Sequence, residues 1–315
     1  MQVWQIILLV LAIIIVLFII LFLIVGHVFF KGSLCRKEIK ETSDSDTNLD
    51  KTVKLLSDKE FSDSKKYEEV FIISNDGLKL AAYFLRSKDK NHKYVIFLHG
   101  YFGTVLGEWS TLIHEYYDAG FNIYSIHERA NWDSEGKYFT MGPKEKEDLL
   151  LWINYVVKQD AQAQILVFGH SMGAHIALLA MGENLPSNVK CCIADCGYAS
   201  LDDQFIQTAK NLMHLKGAKF LIRMVEVYCH IFHHMHFNET TVKALKRCKT
   251  PVCLIHGTGD KFVPYYNLDL NYNAIPKDIY KEKHSFKDAA HCSSESQDPT
   301  RFYKIVFDFT KKYIK

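Results

Sequence analysis

Apolar residues fall along this chain in three patterns. The first is an unbroken block: residues 6–25 carry no charge and consist only of Leu, Ile, Val, Phe and one Ala. At about 1.5 Å per residue the block covers the ~30 Å core of a bilayer and predicts a membrane-spanning helix. It is longer than the roughly 7–15 apolar residues of a cleaved signal peptide, and no A-x-A-like site follows, so an anchor over residues 1–30 is expected. The second pattern is the opposite. Residues 31–66, above all 38–66, are rich in Ser, Asp, Thr, Lys and Glu with almost no aromatic residues, and read as a polar tether.

The third pattern fills residues 67–315, where short apolar runs alternate with amphipathic stretches. Runs at 70–74 and 78–86 flank Asn75-Asp76-Gly77, a hairpin signal. Further runs at 94–98, 121–126, 164–168, 189–194 and 252–255 read as buried strands, and helical spacing such as that of residues 145–157 separates most of them. This alternation predicts an α/β fold, with a mostly parallel sheet covered by helices on both faces. Residues 199–249 interrupt it. They hold no convincing strand and carry Phe220, Leu221, Met224, Val225 and Tyr228 at helical spacing, as an inserted helical lid would.

Composition narrows the function classes. With 315 residues, 48% of them hydrophobic, the chain can bury one large catalytic core. Its net charge of +2 points to no particular partner. No basic stripe with interleaved aromatics suggests nucleic acid. Lys31, Arg36, Lys37 and Lys40 follow the apolar block while residues 1–5 contain no Lys or Arg, so the charge bias puts the catalytic part in the cytoplasm. Eight cysteines, three of them (Cys191, Cys192, Cys253) inside apolar runs, agree with a reducing compartment.

The chemistry lies at the ends of the predicted strands. Gly169-His170-Ser171-Met172-Gly173 fits G-x-S-x-G, directly after one apolar run and before a helical stretch. That is the context of a nucleophile elbow, where flanking glycines keep a tight turn free of side chains and one serine is lifted from the backbone. Upstream, the run at 94–98 opens into His99-Gly100-Tyr101-Phe102-Gly103, a small-residue loop able to offer a backbone N–H. Downstream, Asp260 follows another run and His291 stands in a loop before the amphipathic residues 299–313. The order Ser, Asp, His suits a triad in which a neutral imidazole takes the serine proton and a carboxylate fixes the imidazole.

These residues make the chain resemble the alpha/beta-hydrolase superfamily from about Tyr67 onward, and in particular membrane-anchored bacterial serine hydrolases with an H-G-Y/F loop, G-x-S-M-G, D-x-G-Y (here Asp195-Cys196-Gly197-Tyr198) and F-V-P after the acid. The resemblance implies Ser171 as nucleophile, His291 as general base and then acid, Asp260 as its orienting carboxylate, and the N–H groups of Met172 and Tyr101 as an oxyanion hole. It implies no cofactor and no metal. It also sets one sign against the charge bias, because bacterial hydrolases with a single N-terminal anchor often face outward. One departure stands out: relatives carry R-A/G-H-G where this chain reads Arg129-Ala130-Asn131-Trp132, which alters the wall beside the oxyanion hole.

Several features carry rival readings. Asp195 also follows a strand and is the alternative acid, Asp260 being preferred for its F-V-P context. His230, His233, His234 and His236 share a helical face but lack an acidic or cysteine partner at a ligating spacing, and read as lid histidines. His99 and His170 read as structural hydrogen-bonders; Tyr101 and Trp132 are pocket walls or packing residues. The expected activity is cleavage of an acyl ester or thioester, from a small molecule or a lipid, through an acyl-enzyme. The alternatives are a serine peptidase and a catalytically silent membrane-bound binding protein. Phe205, Leu212, Met213, Phe220, Leu221, Met224 and Tyr228 would give the lid an apolar lining suited to medium or long acyl chains.

Overall fold

The computed structural model describes residues 2–36, 67–101, 103, 105–211 and 214–315, the side chains of 105–110 excepted. Residues 37–66 of the expected tether, and Leu212 and Met213 of the expected lid lining, lie outside the described residues.

Continuous apolar runs become the centre of one eight-stranded sheet: β1 (Tyr67–Ile73), β2 (Lys79–Leu85), β3 (Lys93–Leu98), β4 (Asn122–Ile126), β5 (Gln164–His170), β6 (Val189–Asp195), β7 (Val252–Gly257) and β8 (Lys281–Phe286), in the order β1-β2-β4-β3-β5-β6-β7-β8. β1 pairs with β2, and β2 with β4, antiparallel; every other pairing is parallel. The fold is an α/β-hydrolase fold. At the expected hairpin turn Gly77 adopts φ +86°, and Leu78 N–H donates to Ser74 Oγ at 2.8 Å.

Alternation along the central strands sorts side chains between two cores. Ile165 and Val167 of β5 face one layer, Leu166 and Phe168 the other. Helices α2 (Val105–Asp118) and α10 (Pro299–Tyr313) cover the second face, with Leu112, Ile113, Tyr116, Phe302, Val306 and Phe309 buried against it. Helices α3 (Pro143–Gln159) and α4 (Met172–Ala180) cover the first. Because both faces are covered, the central strands lack the polar alternation of a half-exposed sheet. β8 escaped the sequence reading for the opposite reason. It is an edge strand, Lys-Glu-Lys-His-Ser-Phe, with only Phe286 buried.

Residues 199–249 leave the sheet between β6 and β7 and form α5 (Leu201–Asn211), α6 (Ala218–His233) and α7 (Thr241–Leu245). After α8 (Tyr266–Ala274), the short α9 (Ser294–Gln297) precedes α10.

The N-terminal apolar block is helix α1 (Val3–Ser33), long and apolar enough to cross a membrane. Its 31 residues measure about 46 Å, well over the ~30 Å of a bilayer core. The helix runs past its expected end at residue 30, and its last turns belong to the catalytic core: Gly26, Phe30 and Leu34 are buried. Tyr101 donates its hydroxyl to Ser33 O, Phe139 N–H donates to Leu34 O at 2.8 Å, and Arg36 reaches Ser134 O at 2.6 Å. Residues 31–36 are therefore stitched to the domain instead of forming tether. Gly26 lets α1 and α6 meet, since a Cβ there would strike the Tyr228 ring.

That contact generates a stability prediction. Gly26→Val should cost about 1–3 kcal/mol by overpacking against Tyr228. Gly32→Ala, where an added Cβ meets no atom within 4 Å, should be neutral or stabilising by up to about 1 kcal/mol. Thermal unfolding of the two variants in detergent checks the contrast; equal effects would contradict the close helix crossing.

Candidate active site

The elbow between β5 and α4 is built on close backbone contact. A Cβ on Gly173 would strike the Leu98 and His99 carbonyls, and one on Gly169 would strike the Gly173 carbonyl. Ser171 at this turn has φ +53° and ψ −112°, a left-handed conformation that costs a side-chain-bearing residue about 1–3 kcal/mol and persists only where its surroundings hold it. Here Ser171 N–H donates to Asp195 O at 2.9 Å, and His175 N–H donates to Ser171 O at 3.0 Å.

Ser171 Oγ lies 2.8 Å from His291 Nε2, and His291 Nδ1 lies 2.6 Å from Asp260 Oδ2. The three residues stand just beyond the C-terminal ends of β5, β7 and β8. Their loops are sewn together: Gly259 N–H donates to Ala289 O at 3.0 Å, Asp288 N–H to Thr258 Oγ1 at 2.8 Å, and Thr258 N–H to Phe286 O at 2.8 Å. Asp260 Oδ1 accepts from the Phe262 and Val263 N–H groups at 2.9 and 2.8 Å. Burial pushes the Asp260 carboxyl up, but hydrogen bonds from His256 and His291, the His291 charge and the Val263 N–H outweigh it and bring it down to about 2. Burial works against an imidazolium at His291, while Cys196 and the hydrogen-bonded Asp260 favour one, and the net direction is upward. Since burial holds the Cys196 thiol protonated, the Asp260 carboxylate is the stabilising charge in the neutral range.

The rival acid is engaged elsewhere. Asp195 accepts from His170 Nε2 at 3.0 Å and from Ser294 Oγ at 3.3 Å. His170 thus braces the elbow, and His99 pairs with the buried Glu128 and donates to Gly100 O at 2.7 Å. The departure at Asn131 fills a structural place: its Nδ2 donates to Gly103 O at 3.0 Å and lies 3.1 Å from His99 Nε2, so this amide ties down the loop that carries Tyr101. Buried Arg129 beside it binds Asp148 through Nε at 2.7 Å and Asp76 through Nη1 at 2.9 Å. His233 stacks on Phe30 with ring centroids 3.4 Å apart, His230 lies tilted against His236 with centroids 4.3 Å apart, and among the described residues these histidines join no set of three ligand atoms close enough to hold an ion.

A cavity of about 190 Å³ opens at Ser171. Its wall includes Tyr101, Met141, Met172, Tyr198, Phe205, Leu215, Leu221, Ile222 and Phe262, and also Phe29 and Ser33 of α1. No charged side chain lines it among the described residues. Trp132 is absent from this lining and lies near His127 instead. Gln204, buried at the wall, donates to Phe262 O at 2.8 Å and Thr208 Oγ1 at 3.2 Å; its buried Oε1 has no hydrogen-bond partner among the described residues. The sequence had no means of finding Phe29, Ser33 or Gln204, whose relation to Ser171 is purely tertiary. Cys196 and Cys292 also escaped it, although Cys292 is next to His291; their Sγ atoms are 3.4 Å apart.

Residues 127–315 match the prolyl oligopeptidase family, a span that contains Ser171, Asp260 and His291 but not Tyr101. The chain is 25% identical over 219 residues to the Bacillus subtilis protein YqkD, covering 68% of this chain and 70% of that one. It is 33% identical over 128 residues to the tear acid lipase-like protein of Mesocricetus auratus, 35% of this chain and 32% of that one. Among solved structures, the Pyrococcus furiosus esterase Pf2001 superposes with a TM-score of 0.64 at 25% identity, covering 80% of this chain and 93% of that one. The Pyrococcus horikoshii acylaminoacyl peptidase does so with a TM-score of 0.57 at 18% identity, over 81% of this chain and 43% of that one, a likeness of fold.

Two predictions follow the geometry. If Ser171 and His291 act as a unit, S171A and H291A should each remove most turnover and the double variant should be no worse. D260N should cost about 10⁴ in kcat, as expected when the orienting carboxylate of a triad is lost, with D195N mild; steady-state kinetics on a soluble ester decides the ranking. Because only neutral His291 can take the serine proton and its pKa is raised, kcat/KM should climb with pH through a midpoint above the ordinary 6.5. D260N removes the charge that favours imidazolium, so its residual activity should show a lower midpoint.

Proposed function

The chain belongs to the prolyl oligopeptidase family, within the α/β-hydrolase superfamily, and from this premise we propose a serine hydrolase that is anchored by α1 and cleaves acyl esters or thioesters of lipid origin. The observation that carries the proposal is the chain of hydrogen bonds Ser171–His291–Asp260 opening on an apolar cavity walled in part by α1. In this reading His291 takes the Ser171 proton as Oγ attacks the acyl carbonyl. The oxyanion forms beside the N–H groups of Met172 and Tyr101, each such donor being worth about 2.7–4 kcal/mol in the transition state. His291 then gives its proton to the leaving alcohol or thiol, and water releases the acyl group by the same path. Residues of this chain suffice for every step, with neither cofactor nor metal invoked.

Retention of α1 as an anchor is supported by the burial of its last turns. Cleavage after the apolar block would cut through α1 and leave Phe29, a wall of the cavity, and Phe30, a core side chain, on a short N-terminal remnant without the helix that holds them. The basic residues Lys31 and Arg36 after the span support a cytoplasmic catalytic domain. A membrane is thus a partner of the chain, and the substrate a lipid or other acyl compound.

A second reading, peptidase action, is favoured by the unpartnered Gln204 Oε1, which can accept from a substrate N–H as well as from a headgroup hydroxyl. Against it, the lining offers no charged group to receive a peptide terminus. A catalytically silent binding protein would leave the Ser171–His291 hydrogen bond without a use.

Fluorophosphonate labelling of wild type but not of S171A tests the hydrolase itself. Across an acyl ester series in detergent, kcat/KM should rise by up to about fourfold per added CH₂, the equivalent of about 0.8 kcal/mol, until the cavity is full. A profile flat beyond acetyl, or faster release from aminoacyl amides, would favour the peptidase. Protease added to intact cells should leave the chain uncut; cleavage would reverse the orientation.

A further inference from the structure

Helix α6 has two apolar faces. One, formed by Ala218, Ile222, Val225 and Cys229, is buried in the domain. The other, Phe220, Met224, Val227 and Ile231, repeats at i, i+4, i+7 and i+11 and so forms one stripe. It faces outward, with Phe220 64%, Val227 49% and Ile231 53% exposed. Lys219, Arg223, Glu226 and His230 take the remaining side.

What adjoins this stripe decides what covers it. Tyr228, one residue beyond Val227, packs on α1: its ring meets Phe22 edge-on at 6.1 Å, and its hydroxyl lies 3.2 Å from His27 Nδ1. The stripe thus lies on the helix that packs against α1 at the turns where α1 enters the domain, and there Leu21, Ile24 and Val28 are exposed as well. A helix with an exposed apolar stripe, a charged flank beside it and a long apolar helix packed against it has the makeup of a segment lying in a membrane interface. Leu221, between the stripe and the buried face, lines the Ser171 cavity together with Phe29.

We propose that α6 lies in the bilayer surface beside the exit of α1, its Phe220–Ile231 stripe among the acyl chains, so that the Ser171 cavity takes its acyl substrate from that leaflet. The inference rests on the anchored reading of α1 and deepens the lipid reading of the cavity.

The test uses the full chain in phosphatidylcholine vesicles with or without brominated acyl chains. F220W and I231W each add an indole on the stripe; Y280W adds one at the start of β8, at the opposite end of the sheet from Ser171. After subtraction of the wild-type signal, brominated lipid should quench the F220W and I231W emission roughly twofold or more and leave Y280W unchanged. A chain that does not float with the vesicles overturns the anchored reading and this inference with it. A chain that floats with F220W and I231W unquenched overturns the docking alone, including the case in which a second copy covers the stripe. For delivery, I231D should slow hydrolysis of a long-chain ester embedded in vesicles roughly tenfold while sparing a short soluble ester; equal losses on both overturn it. If wild type cleaves neither ester, the hydrolase reading fails, and the quenching still decides the docking.

Discussion

Everything at this site depends on how near helix α4 comes to the end of β3. Gly173 leaves no side chain between the helix and the Leu98 and His99 carbonyls, and Gly169 leaves none between β5 and the first turn of the helix, so the turn between β5 and α4 must be sharp. Ser171 is at its apex with a positive φ, held by its N–H on Asp195 O. The same line of contacts crosses the strand ends. Cys196 N–H donates to Ile255 O, and the loops after β7 and β8 are joined at Gly259–Ala289 and Thr258–Asp288. The Ser171–His291–Asp260 geometry is thus set chiefly by backbone, and the rigidity of the sheet is passed directly to these three side chains.

That architecture explains what was legible in the sequence. The elbow, the loop after β3 and the acid and histidine loops each follow a strand end, and strands buried on both faces are plain apolar runs. The order of residues was enough to propose the triad. It could not choose between Asp195 and Asp260 by position, since both follow strands; the distinction is that Asp195 is occupied by His170 and Ser294 while Asp260 faces His291. Nor could it supply β8, whose alternation of charges is ordinary for an edge, or the use of Asn131 in place of the expected histidine. An amide in that position donates to Gly103 O and leaves the loop of Tyr101 tied to the floor of the site.

The lid shows the limit more clearly. Its helical spacing was visible, but periodicity reports only that an apolar face exists. α6 presents one face to the core, one to α1 and one outward, and nothing local to residues 218–233 says which is which. The answer lies some two hundred residues away, in Phe22, Gly26 and His27.

That distance bears on how the molecule is made. Helix α1 is synthesised before α6, and the hydroxyl that meets His27 belongs to Tyr228, 201 residues later. Until α6 has emerged, Gly26 and Phe30 have no lid to pack against. Since chains fold progressively from the N-terminus during synthesis, α1 must wait for α6 before its last turns find their place. Helix α1 and the domain are therefore not interchangeable modules: a different apolar segment at the N-terminus would lack Phe29 and Ser33, the two residues that α1 gives to the wall of the Ser171 cavity.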